Sequence, residues 1–246
     1  YSKRILIQIK EFQMLKLLKK ENMGSSNLGW LESRFHFSFA EYRNPENNNF
    51  GVLRVLNDDI IHPQSGFGTH PHHDMEIISY VVKGKITHKD SMGNEESLSR
   101  GEVQYLSAGT GIQHSEYNNT DEDLRLLQIW IIPPKKGMDT LYGSHRYKEQ
   151  QRKNKLLQIV SPQDGDALVK IYQDANIYVS ELDAQMSLEY QIKENRQIYF
   201  VLIEGTLSLN GVMMDYGDAI EIRDEKLITI QALENSHFLF IEITFG

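Results

Sequence analysis

Residues 76–90 read Glu76-Ile77-Ile78-Ser79-Tyr80-Val81-Val82-Lys83-Gly84-Lys85-Ile86-Thr87-His88-Lys89-Asp90. A run rich in Ile, Val and Tyr stops at Lys83-Gly84, and a second short run continues from it. Branched and aromatic side chains suit a pleated, packed surface, and glycine supplies the turn, so the stretch predicts two strands joined tightly. The same grammar extends outward. Arg34 to Phe39 alternates with period two, Glu102 to Leu106 follows the Arg100-Gly101 turn, and Leu124 to Ile132 is an apolar strand. Pro133-Pro134 ends that strand because proline cannot donate to a ladder. Further strands are expected at Leu168–Tyr172, Ile177–Glu181, Ile198–Ile203, Thr206–Leu209, Ala219–Ile222, Leu227–Ala232 and Phe238–Ile243. Gly24 to Trp30 reads as a loop, and residues 135–160 as a linker or helix-bearing connection. Many short strands without long helical periodicity predict an all-β chain, either an antiparallel sandwich or a jelly-roll barrel.

The opening stretch also recurs. Laying Gly84 on Gly205 matches Tyr80–Ile86 with Phe200–Leu207, and Arg100-Gly101-Glu102 then matches Tyr216-Gly217-Asp218. Two copies of one barrel is the economical reading. The expected division is 14–145 and 146–246. Residues 1–13 are read as an upstream or non-native extension, because Met14 offers a plausible start and no cleavage site follows the short apolar run.

Just before the opening stretch lies Gly66-Phe67-Gly68-Thr69-His70-Pro71-His72-His73-Asp74-Met75-Glu76. Side chains at i and i+2 share a face of an extended strand, and neutral imidazole is the commonest nitrogen ligand for divalent metals. His70 and His72 therefore form a pair, while His73 faces the other way. His114 and Glu116 in Gly109-Thr110-Gly111-Ile112-Gln113-His114-Ser115-Glu116 repeat the arrangement with one nitrogen and one oxygen donor. In the second copy the places of His70, His72, Glu76, His114 and Glu116 fall on Gln191, Lys193, Gln197, Ile230 and Ala232. One copy is expected to hold a metal and the other to be structural. His36, His88 and His237 read as hydrogen-bonded structural residues, Asn118 as a turn residue, and Arg125 and Lys83 as solvated charges. The glycines at 66, 68, 109 and 111 read as backbone-shaping.

Composition narrows the function classes. The formal charge is −8, from 34 acidic and 26 basic residues, with no basic face, which disfavours nucleic acid or an anionic membrane as partner. There are no cysteines, so disulfides, thiolate ligands and cysteine nucleophiles are excluded, in keeping with a cytoplasmic location. No apolar run approaches the ~20 residues of a membrane span.

Gly68/His70/His72/Glu76 followed by Gly111/His114/Asn118 resembles the two cupin motifs. More narrowly, Gly66–His72, Asp90-Ser91-Met92-Gly93-Asn94 and Ser107–Tyr117 resemble the pirin family, closest to its bacterial quercetin 2,3-dioxygenases. Trp30-Leu31 and Phe37–Tyr42 fit the same family's opening, so the resemblance is strong over roughly residues 28–135. It implies a bicupin, two tandem jelly-roll β-barrels, with one divalent metal in the first. Iron(II) is the expected ion; Mn, Co, Ni, Cu and Zn suit the same donors. The implied ligands are His70, His72, His114 and Glu116, with Glu116 also taking the substrate's proton. Glu76 stands where many other cupins place a carboxylate, and reads as a partner to the ligands or as a spectator. The implied activity is O2-dependent opening of a flavonol's heterocyclic ring, with Phe35, Phe37, Phe67 and Met75 as candidate walls. A metal-binding regulatory protein with a protein partner, or a dioxygenase for another aromatic, are the alternatives. Ligating histidines must be neutral, so metal is expected to weaken below a pH of about 6.5.

Overall fold

The computed structural model describes residues 14–245; the reading of 1–13 lies outside them. The first half contains β1 (Leu15–Leu18), a 3-10 turn (Lys20–Asn22), β2 (Gly24–Asn27), β3 (Leu31–Phe35), β4 (Leu53–Ile61), β5 (Ser65–His72), β6 (Glu76–Lys83), β7 (Lys85–Asp90), β8 (Glu95–Ser99), β9 (Glu102–Ser107), β10 (Ile112–Asn118), β11 (Leu124–Ile131) and β12 (Leu141–Arg146). A single helical turn, α1 (Glu149–Arg152), leads to β13 (Leu157–Pro162), β14 (Val169–Ile171), β15 (Ala175–Leu182), β16 (Ser187–Gln191), β17 (Arg196–Glu204), β18 (Thr206–Leu209), β19 (Val212–Asp215), β20 (Ala219–Ile222), β21 (Leu227–Ala232) and β22 (Ser236–Thr244).

These form two pairs of sheets with one design. The first pair is β12-β9-β6-β11-β4-β3-β2 facing β5-β10-β7-β8; the second is β1-β20-β17-β22-β15-β13-β14 facing β16-β21-β18-β19. The strand order β9-β6-β11-β4 in one matches β20-β17-β22-β15 in the other, as the repeat predicts. Gly84 and Gly205 both turn with positive φ, at 76° and 85°. A Cβ at either would lie 2.6 or 2.3 Å from the backbone oxygen of Asp123 or Asn235, just ahead of β11 or β22, so glycine is required there. β1 crosses from the first half to extend the second large sheet through β20, while β12 extends the first half's own large sheet through β9.

The expected jelly-roll barrels are not what forms. Neither the seven-stranded nor the four-stranded sheets close on themselves, and each unit is a two-sheet sandwich with open edges. Period-two alternation specifies which face of a strand is buried. It does not specify whether the outermost strands pair with each other, and here β2, β12, β5 and β8 remain edges. Three local readings also change. Gly24–Asn27 is an edge strand rather than a loop, and the polar connection contains β12. The strand expected over 34–39 stops at Phe35, because Phe37 turns into the core against Tyr199, with ring centroids 5.2 Å apart.

The two large sheets pack back to back. Ile78, Tyr80, Val82, Leu127, Ile129 and Ile131 of the first unit share one core with Ile177, Val179, Tyr199, Val201, Leu239 and Ile241 of the second. β6 and β17 are thus buried on both faces, which is why they read as continuous apolar runs rather than alternating ones. Polar groups on these faces are matched across the interface. Tyr80 Oη lies 2.9 Å from His237 Nε2, and His36 Nδ1 lies 3.0 Å from Tyr199 Oη. Arg125, read as a solvated charge, is instead largely buried; it donates to both oxygens of Asp58 at 2.8 and 2.7 Å and to the Ile203 carbonyl at 3.1 Å. Lys83 is exposed as expected.

Glu76 faces this interface, not the metal-ligand candidates. Its fully buried carboxylate accepts the backbone N–H groups of Tyr172 at 2.6 Å and Gln173 at 2.9 Å. Neither sequence reading of Glu76 anticipated that tie. Glu76→Ala should lower unfolding stability by about 2–4 kcal/mol, because two buried N–H groups lose a charged acceptor. Denaturant titration of the variant checks this.

Burial of His36 pushes its pKa down to about 4, and burial also lowers that of His237. A depressed folded pKa means the unfolded chain takes up the proton first. Their contribution is therefore complete above pH 6.5 and is lost as pH falls toward 4, worth up to about 3 kcal/mol for His36. The thermal midpoint should drop across that window, and His36→Gln should flatten the drop.

Candidate metal centre and its pocket

β5 and β10 run antiparallel with His70 directly opposite His114, and Ile112 opposite His72. Pro71 separates the two histidines of β5, whose side chains share one face as strand alternation requires. The rings of His70, His72 and His114 converge, with centroids 4.6 to 4.9 Å apart. Each can present a nitrogen within 4.8 Å of the others. Gly66 allows the two strands this approach, since a Cβ there would lie 2.4 Å from the Glu116 carbonyl oxygen. His73 falls beyond the end of β5 with its side chain 80% exposed, outside the group.

The hydrogen bonds set the ring states. His70 Nδ1 lies 2.7 Å from the Gly68 carbonyl, which can only accept, so Nδ1 carries the proton. The bare Nε2 of neutral His70 then faces His114 Nε2 at 3.1 Å. Two imidazole nitrogens so placed meet lone pair to lone pair unless a proton or a cation lies against them. Burial pushes His72 down to about 4 and His114 down to about 3, aided by the neighbouring histidines. Both are therefore neutral donors well below the pH expected from free imidazole. The donor set fits a divalent cation.

Glu116 is held differently. A register shift between His114 and Glu116 sets Glu116 opposite Phe67 of β5. Its Oε1 accepts from Ser79 Oγ at 3.0 Å and from Gln104 Nε2, and its Oε2 accepts from Gln128 Nε2 at 2.8 Å. Burial raises its proton affinity, partly offset by the Ser79 bond. Glu116 groups with His114 and His88 rather than with His70 and His72, so the four expected residues form two overlapping sets that share His114. All four nevertheless line one cavity.

His88 was read as structural, and half of that holds. Its Nε2 is 3.0 Å from Asp90 and its ring stacks on Tyr142 at 4.5 Å, yet its buried Nδ1 has no partner. No sequence signal marked it; only the pairing of β7 with β10 sets it directly opposite Glu116. Ser79, Gln104 and Gln128 were missed because isolated polar residues on apolar strands carry no motif. Asn118, read as a turn residue, does close a turn: its side chain donates to the Ile61 and Glu122 carbonyls and accepts from Thr120.

The cavity has a volume of about 280 Å³ and is mostly apolar, with Leu28, Leu31, Phe35, Phe39, Phe67 and Trp130 in its walls. Of the expected walls, Phe35 and Phe67 are present; Phe37 belongs to the interface core and Met75 packs beside Ile77 and Ile112. Asn57 and Asp59 also line it, and burial pushes the Asp59 carboxyl up to about 7 against the pull of Ser33. The second unit is packed differently. Its interior is one apolar cluster in which Ile230 and Ala232 occupy the counted places of His114 and Glu116. No helix among the described residues is long and apolar enough to cross a membrane.

Comparison with known proteins agrees with this geometry. Residues 16–131 match the pirin family profile, and residues 158–243 match that of the quercetinase C-terminal cupin domain. A quercetin 2,3-dioxygenase of Escherichia coli K12 is 42% identical over 231 residues, spanning 94% of this chain and 99% of its own. A pirin-like protein of Caulobacter vibrioides is 42% identical over 224 residues, spanning 90% and 96%. The crystal structure of the bacterial pirin YhhW from Escherichia coli, in complex with nickel(II), superposes with a TM-score of 0.89 at 39% identity, covering 95% of this chain and all of that one. Sandwich order, sequence and full-length coverage coincide, and the chain belongs to the pirin family, closely related to its bacterial quercetin 2,3-dioxygenases.

Proposed function

We propose that this protein is a metal-dependent dioxygenase that opens the heterocyclic ring of a flavonol such as quercetin with O2, releasing carbon monoxide. One observation carries the reading: three convergent imidazoles and a fixed, buried carboxylate sit in the wall of an aromatic-lined cavity. The activity named for the Escherichia coli relative, and the nickel(II) held by YhhW, support it. In this reading His70, His72, His114 and Glu116 hold one divalent ion, with iron(II) the proposed metal. When bound, the ion would supply Lewis acidity toward the flavonol 3-oxygen and open positions for O2.

The chain's own residues do the rest. Glu116 takes the 3-hydroxyl proton; its raised proton affinity suits a base, and Ser79, Gln104 and Gln128 keep it aimed. Phe39, Phe67 and Trp130 flank a planar ring system and exclude water.

Metal-loaded protein under air should bleach the flavonol absorption band, and His114→Ala or chelation should abolish that. Full metal content without bleaching would sink the flavonol reading and leave the metal site standing. Because His72 and His114 stay neutral to about 4 and about 3, dialysis followed by elemental analysis should find metal retained at pH 5.5 and released toward pH 3. Release already complete at pH 6 would contradict this ligand set.

A further inference from the structure

Asn57 and Asp59 stand out in the mostly apolar cavity, in a wall they share with Ser33 and Gln128. They stand on the inner face of β4, between Val55 and Ile61, on the sheet opposite the one that bears the histidines. Each is 3% exposed, and the Oδ1 atom of each has no hydrogen-bond partner. Leaving a buried polar atom unpaired costs about 1–3 kcal/mol, so two such atoms in one wall lower stability for no structural return.

The second unit shows what this wall looks like when it is only structural. Through the shared strand order, the Asn57–Gln128 pair corresponds to Tyr178–Phe240, and these two rings stack 4.9 Å apart. The aromatic solution is thus available to the fold at this pair. In the first unit Asn57 keeps an unpaired oxygen at this position, and Asp59 adds a second two residues on, where the second unit has the small Ser180. Hydroxyl groups on a planar aromatic ligand would satisfy them.

We propose that Asn57 and Asp59 are specificity-determining residues that accept hydrogen bonds from phenolic hydroxyls of the substrate, so that the cavity selects flavonols hydroxylated on their outer rings. This rests on the flavonol reading of the site. A site built to bond a hydroxyl rejects the analogue that lacks it, because its own polar groups are then left unpaired.

Quercetin and 3-hydroxyflavone, which lacks the further ring hydroxyls, provide the test. Their binding to the metal-loaded protein without oxygen can be followed by tryptophan fluorescence: Trp130 lines the cavity, Trp30 packs on Phe67 at 5.2 Å, and the chain has 2 tryptophans. Quercetin should bind at least about tenfold more tightly, roughly one lost hydrogen bond's equivalent. Asp59→Leu and Asn57→Leu should each narrow that ratio to within about threefold by weakening quercetin, while leaving the thermal midpoint unchanged or higher. A wild-type ratio near one overturns the proposal without any variant. A folded pair of variants that keep the wild-type ratio, or that lose stability and weaken both ligands equally, overturns it too. Turnover under air is scored separately. An intact ratio without turnover defeats the dioxygenase reading alone, and turnover with an unresponsive ratio defeats this proposal alone.

Discussion

The burial of two large sheets against each other is the constraint on which the rest of this structure depends. β6, β11, β17 and β22 are covered on both faces, so their central residues belong either to a sandwich interior or to the interface. A polar group on the interface face cannot reach water and must find its partner in the other unit. Glu76 finds two backbone N–H groups, Tyr80 finds His237, and His36 finds Tyr199. The Arg125–Asp58 pair follows the same rule by adding the Ile203 carbonyl. Breaking one member of such a pair is costly because the survivor stays buried.

With the outer faces committed to stability, the inner faces are free to diverge. The second unit fills its interior with a continuous cluster that includes Phe200, Phe238 and Phe240. The first splits its apolar residues into two smaller clusters, one around Leu31, Ile61 and Val81 and the other around Ile77, Leu106 and Ile112. His114, Glu116, Gln104, Gln128, Asn57 and Asp59 are buried in the same interior. A wall of that kind is less stable than an apolar one. The shared interface and the apolar second unit supply the rigidity that lets the first unit carry it.

Much of the candidate site was legible locally. His70 and His72 announce themselves by i, i+2 spacing on a strand, as do His114 and Glu116, because side-chain direction on a strand is fixed by parity. Parity also disposed of His73. What parity could not show is which strands lie opposite. The pairing of β7 with β10 brings His88 against Glu116, and nothing in the order of residues announces that neighbour. Arg125 was misjudged for the same reason, since a charge on an apolar strand looks solvent-facing until a second sheet covers it; Glu76, read as a partner to the ligands or a spectator, turns to that second sheet instead.

Glycine turns, proline stops and apolar periodicity by themselves determined that this chain is all-β, built twice on one plan, with a single copy holding convergent histidines. These are properties of short windows, set by backbone sterics and side-chain alternation. Only the tertiary structure decided that the sheets stay open rather than closing into barrels and that the two units share one core. It alone showed that Glu116 is held by three polar side chains and that Asn57 and Asp59 face the same chamber. Edge pairing, cross-sheet contact and desolvation depend on residues far apart in the chain, and their energies exist only once the sheets have met.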